Sequence, residues 1–351
     1  MTMNPRMLIL AREARGWTQD ELARASGMSQ SSICKAEKGD RLLPDHELPA
    51  VATPLRVTSD LLCWPDNVYG FGSASFFHRK QQSLPQRTLR KIQARVNLLR
   101  MRIYRLLDDV SIEIQLSIPR IDIDDAGSAQ EIARRLRAAW RVPMGPLPNL
   151  VNYVEAAGGI VVRQEFESHR INAISVWHPG IGPLFTLNKA LSPESQRFIL
   201  AHELGHMIIH EGEPPHENAE READQFAEEL LMPQAEITSD LLDIDARKAM
   251  ALKPYWRVPM QTPILRAEHL DIISPGRSRS LHSYMNKAGY LKSEPMPLER
   301  EEPTVIDNMV RIQLTEHGYT AGSLAEMLGM LEQDLWVDLP ITPRRSLRIV
   351  G

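Results

Sequence analysis

Residues 197–210 read Arg197-Phe-Ile-Leu-Ala-His-Glu-Leu-Gly-His-Met-Ile-Ile-His210. On an α-helix, residues four apart stand about 40° apart around the axis, so His202 and His206 can turn both imidazoles toward one metal ion. Glu203 lies between them, and its carboxylate emerges beside His202, on the side of an open coordination position. That is the arrangement a metal-dependent peptidase needs. An amphipathic surface helix with two chance histidines is the bland alternative. Phe198, Ile199, Ala201 and Met207 weigh against it, because they give this helix apolar packing and predict a half-buried site.

Ser192 followed by Pro193 marks the start of that helix, a capping hydroxyl and then a proline at the first helical position. Three short strand-like runs precede it, at residues 160–162, 173–177 and 184–187, the last two joined by a hairpin at 178–182. We expect 184–187 to be the edge strand to which an extended substrate could add.

A metal site needs a third protein ligand, and His210, His216, Glu220, Glu222 and Asp224 follow downstream. Residues 220–233 read as one helix whose inward arc is Ala223, Phe226, Ala227, Leu230 and Leu231, closed by Pro233. Glu220 falls near the edge of that arc and can reach inward. Glu222 falls on the opposite side with Glu229, where both are expected to be solvated. Asp224, one turn beyond Glu220, is placed to hydrogen-bond a ligand imidazole and fix its tautomer. His210 is the main rival ligand, but an extended zincin pattern needs histidine at 212, which is Gly here. His216, in a proline-rich loop, reads as solvated.

The motif Arg197-Phe-Ile-Leu-Ala-His-Glu-Leu-Gly-His206 and the run Glu220-Arg-Glu-Ala-Asp-Gln-Phe-Ala-Glu-Glu-Leu-Leu-Met-Pro233 resemble the ImmA/IrrE family of bacterial metallopeptidases. The likeness covers residues 145–240. It implies a zincin-like fold, zinc (or manganese) bound by His202, His206 and Glu220, and Glu203 as the catalytic base. Asp224 stands where that family usually has Asn. Members act on helix-turn-helix repressors in responses to stress or to mobile elements.

At the other end of the chain, Met7, Leu10, Ala11 and Ala14 recur at helical spacing before Gly16. Thr18 and Glu21 form a capping box opening a second helix with Leu22 and Ala25, and Gly27 makes a turn. Ser29 caps a third helix in which Ile33 and Ala36 face inward while Gln30, Ser31, Ser32 and Lys35 face out. Two short capped helices joined through a glycine are a helix-turn-helix. Trp17-Thr-Gln-Asp-Glu-Leu-Ala23, Gly27-Met-Ser-Gln30 and Ile33-Cys-Lys-Ala-Glu-Lys-Gly39 resemble the Cro/C1-type (XRE) DNA-binding domain over residues 6–62. The resemblance implies a double-stranded DNA operator as partner, with Gln30, Ser31, Ser32 and Lys35 in the major groove and Gln19 near a phosphate. Gln30 has the chemistry to bond adenine in two places. Pro49 and Pro54 are expected to interrupt the helices that follow.

The formal charge of −4 over 351 residues means that any nucleic-acid surface must come from uneven charge distribution. Nine Lys or Arg fall between Arg79 and Arg105, with no acidic residue between Tyr69 and Leu107. Such a helix could lie along DNA phosphates or pack, solvated, against the peptidase module. Its stripe of Leu89, Ile92, Val96, Leu99, Ile103 and Leu106 reads as core or as a surface for a homodimer. Residues 70–75 look like a hinge. Two cysteines, Cys34 and Cys63, make no disulfide framework, and no apolar run is long enough for a signal peptide or a membrane span. A cytoplasmic protein without membrane partners is expected.

The sequence therefore predicts a mainly α chain with a small β-sheet. Residues 1–66 form the helix-turn-helix domain, 67–141 a basic helical connector, 142–292 the zinc metallopeptidase domain, and 293–351 a Pro- and Glu-rich linker with a helical C-terminal segment. The predicted function is a transcriptional regulator carrying a zinc endopeptidase that acts on a regulatory protein or on itself. The alternative is a non-enzymatic DNA-binding regulator whose zinc domain senses a ligand or holds structure.

Overall fold

Side-chain caps set the first helices. Asn4 accepts from the Arg6 amide at the start of α1 (Pro5–Ala14), and Thr18 and Glu21 form both halves of the capping box of α2 (Gln19–Ser26). Gly27 turns the chain at φ 70° before Ser29 caps α3 (Gln30–Lys38). Leu22 and Ala23 are the buried residues of α2, and Ala25 is exposed. The two prolines shorten α4 (Leu48–Leu55) without breaking it. Pro49 sits in the first turn, where its missing N–H costs nothing, and Pro54 in the last, after which Arg56 takes the left-handed conformation. A 3-10 turn, Asp60–Cys63, follows. In this computed structural model, residues 2–69, 85–108, 110, 112–168, 170–178, 180–211, 216–291 and 293–339 are described, so the expected hinge at 70–75 lies outside them.

The basic helix α5 (Gln86–Leu106) is an internal strut. Ala94, Leu98 and Met101 enter the core of the helix-turn-helix module. Ile92 and Val96 pack with Ile174 and Val176 of the sheet, and Leu99, Ile103 and Leu106 with the C-terminal helices. The stripe that offered a dimer surface is thus buried within the chain. Its cations are also answered internally: Arg87 by Glu21, Arg90 by Glu13, Lys91 and Arg95 by Glu167, Arg105 by Asp66, and Arg100 and Arg102 by the Asn67 and Leu328 carbonyls. Of the two readings open to this helix, packing against the rest of the chain is the one observed.

After α6 (Ile123–Ala126), α7 (Ala129–Ala139) and α8 (Leu150–Ala156) comes a sheet in the order β1 (Ile160–Gln164), β3 (Gly182–Asn188), β2 (Ala173–His178). β3 is parallel to β1 and antiparallel to β2. The run 184–187 is therefore central, and the edges belong to β1 and β2. Register assigns the faces. Val161, Phe185, Leu187, Ala173 and Ser175 share one side, toward α9 (Pro193–Ile209), and Ile160, Val162, Leu184, Ile174 and Val176 share the other, toward α5 and the C-terminal helices. Helices on both faces explain why these strands are apolar at almost every position.

Next come α10 (Ala219–Leu231), α11 (Gln234–Leu241), α12 (Ala246–Trp256), α13 (Gln261–His269) and α14 (Pro275–Lys287), which share the core of α9 and α10. Residues 293–303 have a linker's composition but lie strapped across this core. Glu294 meets the fully buried Lys253 at 3.0 Å, Glu301 pairs with Arg197, and Glu302 bonds Arg163 at 2.5 Å. The chain then folds back through α15 (Val305–Thr315), α16 (Ala321–Met327) and α17 (Leu335–Asp338). Thr58 donates to the Gly329 carbonyl at 3.2 Å, and Arg56 bonds Asp334, which fixes the C-terminal helices to the helix-turn-helix module. Leu324, Ala325, Leu328 and Met330 of this segment are buried in the core it shares with α5 and the sheet. No helix among the described residues is long and apolar enough to cross a membrane.

Candidate metal centre and nucleic-acid interface

α9 is buried on all sides, so its histidines face protein instead of water. His202 Nε2 and His206 Nε2 are 3.1 Å apart, and the Glu220 carboxylate reaches them from α10 at 3.7 and 3.5 Å. Gly205 lets α10 come this close: a Cβ there would stand 3.0 Å from Phe226 Cδ1 and 3.3 Å from Ala223 Cα. Gly205→Ala is accordingly expected to push the two helices apart. It should cost about 1–3 kcal/mol in urea unfolding and weaken metal binding, measured by chelator competition; a variant matching wild type in both would contradict this account of the glycine.

The hydrogen bonds fix the tautomers. His202 Nδ1 lies 2.8 Å from Asp224 Oδ1, so it carries a proton and donates it to the carboxylate, which turns Nε2 toward His206. His210 Nε2 donates to Glu222 Oε2 at 2.9 Å, so His210 Nδ1 is free to accept from His206 Nδ1–H at 3.0 Å. His206 Nε2 is then the ring nitrogen turned toward His202 and Glu220. Two imidazole nitrogens at this distance, with a carboxylate beside them, make a donor set for a cation. Donor atoms around a tetrahedral zinc with bonds of about 2.0–2.1 Å sit roughly 3.3–3.4 Å apart, close to the spacing of these three. The set can hold a metal ion. Burial pushes His206 down to about 4, which keeps its ring neutral, as a ligand must be. Burial would also lower His202, but the Asp224 hydrogen bond and the Glu203, Asp224 and Glu220 charges outweigh it and leave His202 raised.

Two sequence expectations on α10 are corrected. Glu222 is not solvated: its side chain is 14 % exposed and bonds His210. Glu229 is buried and takes Arg266 from α13 and Arg134 from α7, because those helices cover the face of α10 that a helical wheel leaves open. His210 is buried, one residue pair away from the His202–His206–Glu220 group, and His216 is exposed with its Nε2 3.6 Å from Glu222.

Glu203 is buried, and its Oε2 accepts a hydrogen bond from Ser175 Oγ. Ser175, on the α9-facing side of β2, went unnoticed in the sequence. The signal for it is a lone hydroxyl inside the apolar run Ala173-Ile-Ser-Val176.

In the helix-turn-helix module, buried Glu37 receives Arg12 at 2.5 and 3.0 Å and Gln19 at 2.8 Å, and Gln30 donates to Gln19 Oε1 at 2.9 Å. One carboxylate thus ties α1, α2 and α3 together and presents Gln19 and Gln30 side by side. Ser31 and Lys35 are exposed on α3, while the Ser32 hydroxyl turns back to Ser29 Oγ at 2.8 Å. Arg12 and Glu37 were not singled out in the sequence.

Residues 8–62 match the family described as helix-turn-helix. Residues 155–267 match a peptidase family described as the IrrE N-terminal-like domain, a span running from the end of α8 into α13 and containing the sheet, α9 and α10. No curated protein matches the chain.

Proposed function

We propose that this chain, which joins a helix-turn-helix domain to a peptidase-family domain of the IrrE N-terminal-like type, is a cytoplasmic DNA-binding regulator whose second domain is a zinc endopeptidase. The observation that carries the reading is the convergence of His202 Nε2, His206 Nε2 and the Glu220 carboxylate beside a buried Glu203. Residues 1–66 are the DNA-binding unit and residues 142–292 the peptidase unit, braced by 67–141 and 293–351.

His202, His206 and Glu220 would hold the zinc, with Asp224 and His210 orienting the two imidazoles. When bound, zinc polarises the scissile carbonyl and lowers the pKa of its water to about 7. Glu203 takes the proton of the attacking water and hands it to the leaving amine. Ser175 donates to one carboxylate oxygen of Glu203 and so orients the group. Because Ser175 lies on β2, the sheet edge nearest the catalytic carboxylate is that of β2, and an extended segment of a regulatory protein, such as a helix-turn-helix repressor, would pair there.

On the DNA side, Gln30, Ser31, Ser32 and Lys35 face the major groove and Gln19 a phosphate. The cations of α5 have internal partners and are left out of this surface. Gln30→Ala is expected to weaken binding to a selected operator by about 1–3 kcal/mol and relax base preference at one position. Fluorescence anisotropy over a panel of base-substituted operators measures both, and an unchanged profile would remove Gln30 from the interface. The zinc half is tested by elemental analysis of the purified full chain: one zinc per chain, lost in His206→Ala, is expected. A metal content that His206→Ala leaves intact contradicts the ligand set.

A further inference from the structure

Beside the His202–His206–Glu220 group stands a second set of donors that the mechanism does not use for metal. Glu222 Oε2 lies 2.9 Å from His210 Nε2 and 3.6 Å from His216 Nε2, and the three donor atoms fall within 4.8 Å of one another. These spacings bracket the roughly 3.3–3.4 Å expected around a tetrahedral zinc. His210 and Glu222 are buried or nearly so, whereas the His216 side chain is 41 % exposed, so the cluster opens to water on one side. That opening gives an ion a way in and a place for a water ligand. Two histidines and a carboxylate make a borderline donor set suited to zinc.

We propose that His210, His216 and Glu222 form a second divalent-cation site, filled by zinc in excess.

The test is zinc titration of the full-length chain, followed by calorimetry and native mass spectrometry, in wild type, His216→Ala and His202→Ala. Wild type is expected to take one zinc tightly and a second more weakly. His216→Ala, a change at an exposed side chain, should lose the second event alone. His202→Ala should lose the tight event and keep the second. The site is overturned if wild type saturates at one zinc or if the second event survives in His216→Ala. Survival of the tight event in His202→Ala would instead contradict the first ligand set, a separate failure.

Discussion

Glu203→Gln is expected to slow peptide cleavage by about 10²–10⁴-fold, the range for loss of a general base, while the chain keeps one zinc. Glutamine fills the same volume and can still accept from Ser175 Oγ, so the packing between α9 and β2 survives. What it cannot do is take a proton. Because Glu203 stands outside the His202–His206–Glu220 donor group, metal content should not follow activity. Initial rates on a cleaved substrate, measured alongside zinc content, decide the matter. Equal loss of both would place Glu203 among the ligands, and unchanged cleavage would remove it from the chemistry.

The second large effect is expected far from the metal. Glu301→Ala should cost about 3–5 kcal/mol of stability, because it strands the Arg197 guanidinium inside the protein. Arg197 and Glu301 side chains are only 3 % and 7 % exposed; Glu301 also accepts from the Val151 amide and lies 3.5 Å from Arg257. The effect belongs to the broken pair more than to the pair itself. A double change to apolar residues of similar volume should recover much of the loss. Urea unfolding of the two variants against wild type gives the comparison. A Glu301→Ala protein within about 0.5 kcal/mol of wild type, the range of an ordinary surface substitution, would show that residues 293–303 are no strap.

Much of the site is legible in the sequence because its signals are local. The Ser192-Pro193 helix start, the helical repeat of α9 and the inward arc of α10 place His202, His206 and Glu220 on two helices, and the structure brings those three side chains together. What is illegible depends on distant partners. The strand at 184–187 is central because β1, some twenty residues earlier, pairs with its other side. Glu222 and Glu229 are hidden because α9, α7 and α13 cover faces of α10 that a helical wheel cannot see. The basic character of α5 suggests nucleic acid until Glu21, Asp66 and Glu167 are found opposite its cations. The segment 293–303 reads as a linker because its anchors, Arg197, Arg163 and Lys253, lie up to about 140 positions away in sequence.

The resemblance to a zinc peptidase, the tautomers of the histidines and the position of Glu203 all bear on one claim, that the chain cleaves a protein. Incubating the full-length protein with zinc and the cell's helix-turn-helix repressors, followed by mass-spectrometric mapping of new termini, tests that claim most directly. The expected result is a discrete internal cut that accumulates with time, disappears on chelation and is absent with Glu203→Gln. Fully zinc-loaded wild type and Glu203→Gln proteins that yield the same set of termini would contradict it.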